Sequence, residues 1–156
     1  GQRPDQISYE YYGDEQFYWV ILQINEITDY WNQWPLSEDE LTEFVIEKYG
    51  GFAALGQTKY YQTVETYDQS NPANLMLPGG LTVPEDFIFY YPPTPDSEVT
   101  LSSLPVGISN YQYERGLNDA KSQIFLLDKK YIWEYDTEVR NFAKNLKPGQ
   151  SFVDLS

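Results

Sequence analysis

The segment from Glu15 to Ile24 is apolar on both sides when it is drawn as a helix. Phe17, Val20, Ile21 and Ile24 follow the spacing i, i+3, i+4, i+7 and form one apolar face. On nearly the opposite side lie three further large residues: Tyr18, Trp19 and Leu22. A helix that is apolar all round must be covered all round. This segment therefore predicts burial of one face in the domain's own core and of the other face either in that core or against a partner chain.

A second short helix is expected directly before this one. Pro4 suits the first helical turn, and Gly13 suits the left-handed residue that ends a helix. Asp14 then has the side chain that caps the next helix. We therefore expect two helices in tandem, at about residues 4–12 and 15–25.

Charge and residue types exclude several classes of function. The 156 residues include 24 Asp and Glu against 10 Lys and Arg, a formal net charge of −14, and no His or Cys. A chain without His or Cys has no Ser-His-Asp or Cys-His nucleophile, no zinc site of the usual Cys/His type and no disulfide. Its negative charge argues against binding to nucleic acid or to an anionic membrane surface, and no apolar stretch is long enough to span a bilayer.

Aromatic residues make up 17% of the chain and are concentrated in the turn at residues 29–35, which reads DYWNQWP. Tyr and Trp bury apolar area while keeping a polar group, which suits protein interfaces, sugar platforms and cores alike. The turn therefore has three open interpretations: a sugar platform, an interface anchor, or a cover over the end of the core. We predict a recognition surface that consists of Tyr18, Trp19, Leu22, Tyr30, Trp31 and Trp34.

The middle of the chain predicts one helix followed by extended structure. Ser37 and Glu40 form the S-x-x-E capping box of a helix over residues 37–49, which Gly50 and Gly51 end. Residues 57–67 and 87–91 predict strands, and residues 69–85 predict a loop. The strands are punctuated by proline, so we expect them to form a projecting β-hairpin arm.

The last third predicts a strand and a helix. Residues 110–121 are polar, and their pattern fits a helix or an extended segment. Residues 123–127, QIFLL, predict a short buried strand. A helix follows, with apolar residues at alternating spacings of three and four, a seam suited to docking on another helix. The seam consists of Ile132, Tyr135, Val139, Phe142 and Leu146, and Pro148-Gly149 ends the helix.

The chain offers little for catalysis. Without His, an enzyme would need paired carboxylates, a Lys base or a metal held by carboxylates. Glu38-Asp39-Glu40 is better explained as a helix start, and no calcium loop or phosphate-binding glycine loop is present. We therefore predict no enzyme activity, no cofactor and no metal; a hard cation bound adventitiously by an acidic cluster is the alternative.

The segment from Arg3 to Asn25 contains a distinctive set of residues: Arg3, Pro4 and Ile7, Tyr12-Gly13-Asp14, Trp19-Val20 and Asn25. Through these residues it resembles the baseplate proteins of contractile-tailed phages that carry a LysM-like module. The continuation resembles one branch, the baseplate wedge proteins of T-even-type myophages (the gene product 53 family), through Ile27, Asp29 and Trp34-Pro35-Leu36-Ser37. Later stretches also fit: Ser109-Asn110-Tyr111, Glu114, Leu117-Asn118, Ile124–Leu127 and Tyr131-Ile132. Residues 52–105 show no resemblance.

The resemblance implies a fold of the α+β class. Its core would be a LysM-like βααβ unit, whose first strand would precede Gly1 and so be mostly or wholly missing from this chain. The implied layout is a helix pair at 1–30, an insertion at 31–122 with the helix and the hairpin arm, the closing strand and C-terminal helix at 123–147, and a tail at 148–156.

The resemblance also implies a function without catalysis. The protein would be a structural subunit of the tail baseplate, repeated with six-fold symmetry, that joins wedges to each other and to the hub. Its partners would be other wedge proteins, sheath-initiator-type proteins and hub proteins, in the virion and, during assembly, in the host cytoplasm. Two alternatives stay open: a LysM-type module that binds peptidoglycan, and a glycosidase that uses two carboxylates.

Overall fold

A computed structural model describes residues 1–146, and their arrangement is of the α+β class, as predicted. In chain order the helices are α1 (Pro4–Tyr12), α2 (Tyr18–Ile24), α3 (Tyr30–Gln33), α4 (Glu38–Tyr49), α5 (Asn110–Ala120) and α6 (Ile132–Asn145). The strands are β1 (Thr58–Gln62), β2 (Thr66–Tyr67), β3 (Leu75–Leu77), β4 (Thr82–Val83), β5 (Phe89–Tyr91), β6 (Leu101–Ser103) and β7 (Val106–Ser109). Short 3₁₀ turns occupy Glu15–Phe17, Phe52–Gly56 and Lys129–Tyr131.

The chain folds as two compact units. Unit 1 combines residues 1–37 with the chain from residue 120, and unit 2 comprises Glu38–Asp119. The division expected from the resemblance, with an insertion at 31–122, stays a prediction. The expected tail at 148–156, and the helix end at Pro148-Gly149, lie outside the described residues.

The helix pair of unit 1 has the predicted ends. Pro4 begins α1, and Gly13 follows it in the left-handed conformation (φ 82°), with its N–H donating to the Tyr9 carbonyl at 2.9 Å. The Asp14 side chain accepts from the Gln16 N–H at 2.9 Å and so caps the next turn. That turn is 3₁₀ up to Phe17 before the α-helix begins at Tyr18. A left-handed residue and a capping carboxylate together reverse the chain within two residues.

The core of unit 1 lies between α2 and the start of α6. Phe17, Val20 and Ile132 form a buried cluster, which confirms the predicted apolar face of α2 and the first residue of the α6 seam. Partly buried residues pack around it: Tyr12, Trp19, Ile24, Leu127 and Tyr135. Further along the seam Val139 is half-buried and Phe142 is exposed. The seam therefore packs in its first turn and opens to the surface in its second half.

The predicted strand at 123–127 is wrong. The segment has no strand partner, and no residue of unit 1 lies in a strand within residues 1–37 and 120–146. Side chains of the helix pair hold the segment instead. The Tyr12 hydroxyl donates to the Leu127 carbonyl at 3.0 Å, and the Asn25 amide bonds the backbone of Phe125. The segment thus lies against the helices as expected, but the two-stranded sheet of a LysM-like unit is not present there.

Unit 2 is built on a three-stranded antiparallel sheet in the order β4-β1-β7. Thr58 pairs with Ser109, and Gln62 pairs with both Val106 and Thr82. Helix α4 keeps its predicted bounds and buries Leu41 and Val45. Residues 110–121, which fitted either a helix or an extended segment, form the helix α5.

The predicted single strand at 57–67 is wrong because the chain breaks at Thr63. Its hydroxyl donates to the Pro78 carbonyl at 2.6 Å, and its N–H donates to the Leu81 carbonyl at 2.9 Å. Gly80 adopts the left-handed conformation (φ 81°), and its N–H donates to the Thr63 carbonyl. This buried threonine therefore holds the turn at 78–81 beside the end of β1 and separates β1 from β2.

The predicted loop and hairpin also need correction. Residues 69–85 contain the short strands β3 and β4, which pair with β2 and β1. The strand expected at 87–91 is present as β5, but it pairs with β6 and not with the strand at 57–67. The hairpin arm therefore consists of β5 and β6, joined by the proline-rich segment at 92–100.

Candidate interaction surface

Three aromatic residues of the turn after α2 make successive ring contacts, and we call this group the aromatic stack: Tyr30, Trp31 and Trp34. Tyr30 meets Trp31 edge-on and lies tilted against Trp34. Trp34 is buried, with 5% of its surface exposed, while Trp31 is 83% exposed. Tyr30 lies between them, with ring centroids 5.9 Å from Trp34 and 5.5 Å from Trp31. One tryptophan is therefore fixed in the fold and the other is presented to solvent.

Local hydrogen bonds fix the aromatic stack. The indole N–H of Trp34 donates to the Gln2 carbonyl at 3.0 Å. The Asp29 side chain caps α3 by accepting from the Asn32 N–H, and the Gln33 side-chain oxygen accepts from the N–H groups of Thr28 and Asp29, both at 2.8 Å. A four-residue helix is too short to be stable alone. These side-chain bonds supply what the helix lacks, so the backbone that carries the three rings is held in place before any partner arrives.

The other predicted surface residues divide between core and solvent. Tyr18 is 47% exposed. Trp19 packs against the buried cluster and stacks on Tyr135, with centroids 6.1 Å apart and planes inclined by 21°. Leu22 is half-buried. The exposed part of the predicted set is therefore Tyr18 and Trp31, with Tyr30 half-buried between Trp31 and the core.

Sequence reasoning missed Trp133. This residue is well exposed, yet its ring meets Phe17 edge-on at 4.8 Å. The sequence does distinguish Trp133 from its neighbours: it directly follows Ile132 and lies outside the apolar seam of α6. A tryptophan outside the buried stripe of an amphipathic helix points to a contact surface.

Acidic side chains line an open groove along α1 in unit 1. An open groove of about 570 Å³ is lined by Gln2, Asp5, Gln6, Tyr9, Glu10 and Glu15. Asp5 accepts from Arg3 at 2.8 Å, and Glu10 accepts from the Gln2 amide at 2.9 and 3.0 Å. Across residues 1–146, no group of three or more acidic side chains is placed to hold a metal ion.

The most buried charge of unit 2 is Glu114, whose side chain is 4% exposed. Its carboxylate accepts from Lys48 at 2.9 Å and from the Tyr49 hydroxyl at 2.6 Å. Burial raises the pKa of Glu114, but the two hydrogen bonds and the charges of Lys48 and Lys59 lower it by more, so this pKa lies below its ordinary value. Lys59 closes the cluster by donating to Tyr49 at 2.9 Å. The cluster ties α4, β1 and α5 together and is satisfied within the unit.

None of the helices within residues 1–146 is long and apolar enough to cross a membrane.

Part of the chain matches a known protein family. Residues 1–74 match the family described as base plate wedge protein 53. The matched range contains the motif residues of the N-terminal resemblance and also residues 52–74, where the sequence analysis found no resemblance, while the later stretches from Ser109 onward lie outside it. The match supports a structural role in a bacteriophage baseplate and implies a location in the virion tail. No curated protein and no solved structure matches the chain.

Proposed function

We propose that this protein, whose residues 1–74 match base plate wedge protein 53, joins neighbouring wedges to each other and to the hub through protein–protein contacts. Its partners are other wedge proteins, sheath-initiator-type proteins and hub proteins in a six-fold assembly. It meets them in the host cytoplasm during assembly and stays with them in the virion. It acts as a connector and catalyses no reaction.

The observation that supports this proposal is the aromatic stack. Trp31 exposes 83% of its surface, but its backbone and its neighbouring rings are held in place by Asp29, Gln33 and Trp34. Tryptophan is enriched among the residues that dominate binding energies at interfaces. A ring fixed before binding loses little conformational entropy when it is covered. This combination suits a docking anchor.

The negative net charge of the chain favours some partners over others. A net charge of −14 opposes the association of free copies through like-charged surfaces and favours approach to basic patches on other proteins. The attraction is screened by salt, so we expect wedge association to weaken as ionic strength rises.

The experiment that tests the proposal is co-expression of this chain with the other baseplate proteins of its phage, followed by purification through a tag on this chain. The proposal expects wedge or hub proteins to co-purify, and expects Trp31→Ala to reduce their yield while Phe52→Ala, an equally exposed aromatic change in unit 2, does not. Calorimetric binding to N-acetylglucosamine oligomers, or turnover of a cell-wall substrate, in a chain that captures no baseplate protein would overturn it.

A further inference from the structure

The hairpin arm of unit 2 has one partly covered face and one open face. In β5, Phe89 and Tyr91 are half-buried and stack on each other with ring centroids 5.7 Å apart, while Tyr90 between them is 64% exposed. Tyr90 pairs with Ser102 of β6, which is also exposed. Successive side chains of a strand point to opposite faces. The face that carries Tyr90 and Ser102 is therefore open to solvent.

This open face is largely apolar. Ile88, directly before β5, and Leu104, directly after β6, are exposed as well, and Leu104 leaves 61% of its surface uncovered. We call Ile88, Tyr90, Ser102 and Leu104 the arm face. None of its side chains carries a charge, although the solvated face of an antiparallel sheet is ordinarily polar. Exposed apolar groups gathered in this way are typical of a protein contact surface.

Hydrogen bonds hold the arm in position at both ends. Before β5, the Glu85 carboxylate accepts from the hydroxyl of Tyr61 in β1 at 2.8 Å. In the connection between β5 and β6, the Pro93 carbonyl accepts from the Gln69 N–H at 3.0 Å. A two-stranded hairpin by itself is at best marginally stable in water. Because the arm is tied to its unit at both ends, little conformational entropy is lost when its open face is covered.

The two ends of the arm are acidic. Two exposed acids precede β5 and two lie in the connection to β6: Glu85, Asp86, Asp96 and Glu98. No Lys or Arg occurs between Lys59 and Arg115. Among residues 1–146, none of these four acids forms a salt bridge. The arm face is therefore an apolar patch between two negative ends whose charges are not neutralised within the described chain.

This charge pattern restricts what can cover the arm face. A second copy that docked through the same face would bring four more acids into the contact, and nucleic acid or an anionic membrane would bring phosphates. Juxtaposed like charges oppose association, whereas opposite charges favour encounter and fix the register of a complex. The surface that fits has an apolar centre and basic groups around it.

We propose that the arm face docks on another baseplate protein, at a surface that is apolar in its centre and carries Lys or Arg at its rim. The centre covers Tyr90 and Leu104, and the basic groups pair with the acids at the two ends of the arm. The contact rests on the proposed function, because it places the partner among the baseplate proteins. It lies outside residues 1–74, the range that matches base plate wedge protein 53, and is separate from the aromatic stack.

Photo-cross-linking tests which protein covers the arm face. The aromatic cross-linker p-benzoylphenylalanine replaces Tyr90, and the full chain is co-expressed with the other baseplate proteins of its phage, irradiated and purified through its tag. We expect a cross-link to one other baseplate protein, mapped by mass spectrometry to a stretch that contains Lys or Arg. The same cross-linker in place of Phe52, an exposed aromatic residue outside the arm, should not give this product.

Titration against the cross-linked protein tests the apolar part of the contact. Tyr90→Ser plus Leu104→Ser should weaken binding about tenfold or more. The matched control, Phe52→Ser plus Leu117→Ser, changes two other exposed residues of unit 2 and should bind as the unmodified chain does. The melting temperature of each variant checks that it is folded.

The same titration at several salt concentrations tests the charges. Asp96→Asn plus Glu98→Gln should weaken binding at low salt and reduce its salt dependence. Glu43→Gln plus Glu47→Gln removes the same charge from exposed positions of α4 and should do neither.

Several results would overturn this contact. They are a cross-link from position 90 to a second copy of this chain or to none of the co-purifying proteins, equal affinity of the arm-face and control variants, and equal salt dependence of the two charge variants. The proposed function still stands in each case if baseplate proteins co-purify with the unmodified chain. If none co-purifies, the proposed function and this contact fail together.

Discussion

The side-chain amide of Asn25 bonds both backbone groups of Phe125: it donates to the C=O at 2.9 Å and accepts from the N–H at 2.8 Å. A carboxamide carries the same donor and acceptor as a peptide group. One side chain at the end of α2 therefore takes the place of a neighbouring strand for a residue 100 positions away. The same amide donates to the Ile21 carbonyl at 2.7 Å, so it also ends the helix. These bonds hold residues 123–127, which we call the closing segment, against the helix pair without a strand partner.

Replacing Asn25 should release the closing segment. Asn25→Ala removes three hydrogen bonds, two of them to the exposed backbone of Phe125, so we expect the free energy of unfolding to fall by about 1–2 kcal/mol. The Phe125 amide should lose its protection in hydrogen exchange. Gln23→Ala, an exposed change on the same helix, serves as the control and should leave the Phe125 amide as it is. Unaltered protection of Phe125 in Asn25→Ala would mean that other contacts hold the segment.

Acid should weaken unit 2 through Glu114. Because the pKa of Glu114 is below its ordinary value of 4.5 in the folded chain, its charge stabilises the fold above that pH. This stabilisation is lost as the pH falls through the lower, folded pKa. We expect Glu114→Gln to cost about 1–2 kcal/mol at neutral pH, a modest value because Lys48 is partly exposed, and to flatten the loss of stability in acid.

The matched control for this change is Glu43→Gln, which removes the same charge from an exposed position of α4. Urea unfolding at a series of pH values separates the two variants. If both show the same pH dependence as the unmodified chain, Glu114 is not the group responsible.

Trp19 should behave as a core residue and not as a docking residue. It packs against the buried cluster of unit 1 and stacks on Tyr135. Trp19→Ala should therefore lower the free energy of unfolding by about 2–3 kcal/mol, less than for a fully buried tryptophan because the ring is only partly covered. Thermal unfolding measures this loss. A variant with normal stability but impaired assembly would place Trp19 on the recognition surface after all.

Trp31 should show the reverse behaviour. Its exposed ring adds little to the fold, so Trp31→Ala should change the free energy of unfolding by no more than about 0.5 kcal/mol. Removal of an interface anchor costs about 2 kcal/mol or more of binding, which corresponds to a loss of affinity of about thirtyfold or more. Titration of the variant against the wedge proteins that co-purify with the unmodified chain checks this. Binding that is unaffected by the change would exclude the aromatic stack from the interface.

Local signals in the sequence predicted the helix ends correctly. Gly13, Asp14 and Gly50 act on residues within one turn of themselves, so a single sequence contains all that is needed to predict them. The buried face of α2 could also be predicted from the sequence, because its apolar periodicity extends over the whole helix.

Pairing between distant residues could not be predicted in the same way. Strand β1 ends where it does because Thr63 bonds a turn around Gly80, and β7 reaches β1 from more than 40 positions away. Residues 123–127 have the composition of a strand. Only the three-dimensional structure shows that the side chain of Asn25, and not a neighbouring strand, bonds their backbone. Trp31 and Trp34 are three residues apart in one turn, and which of them is buried depends on the carbonyl of Gln2.

The most direct test of a structural role is an electron cryomicroscopy reconstruction of the intact tail of the phage that encodes this chain. The account predicts density for the chain in the baseplate, once or more per wedge around the six-fold axis, with Trp31 covered by another baseplate protein. A complete baseplate reconstruction without the chain, or with the chain present and Trp31 facing solvent, would contradict it.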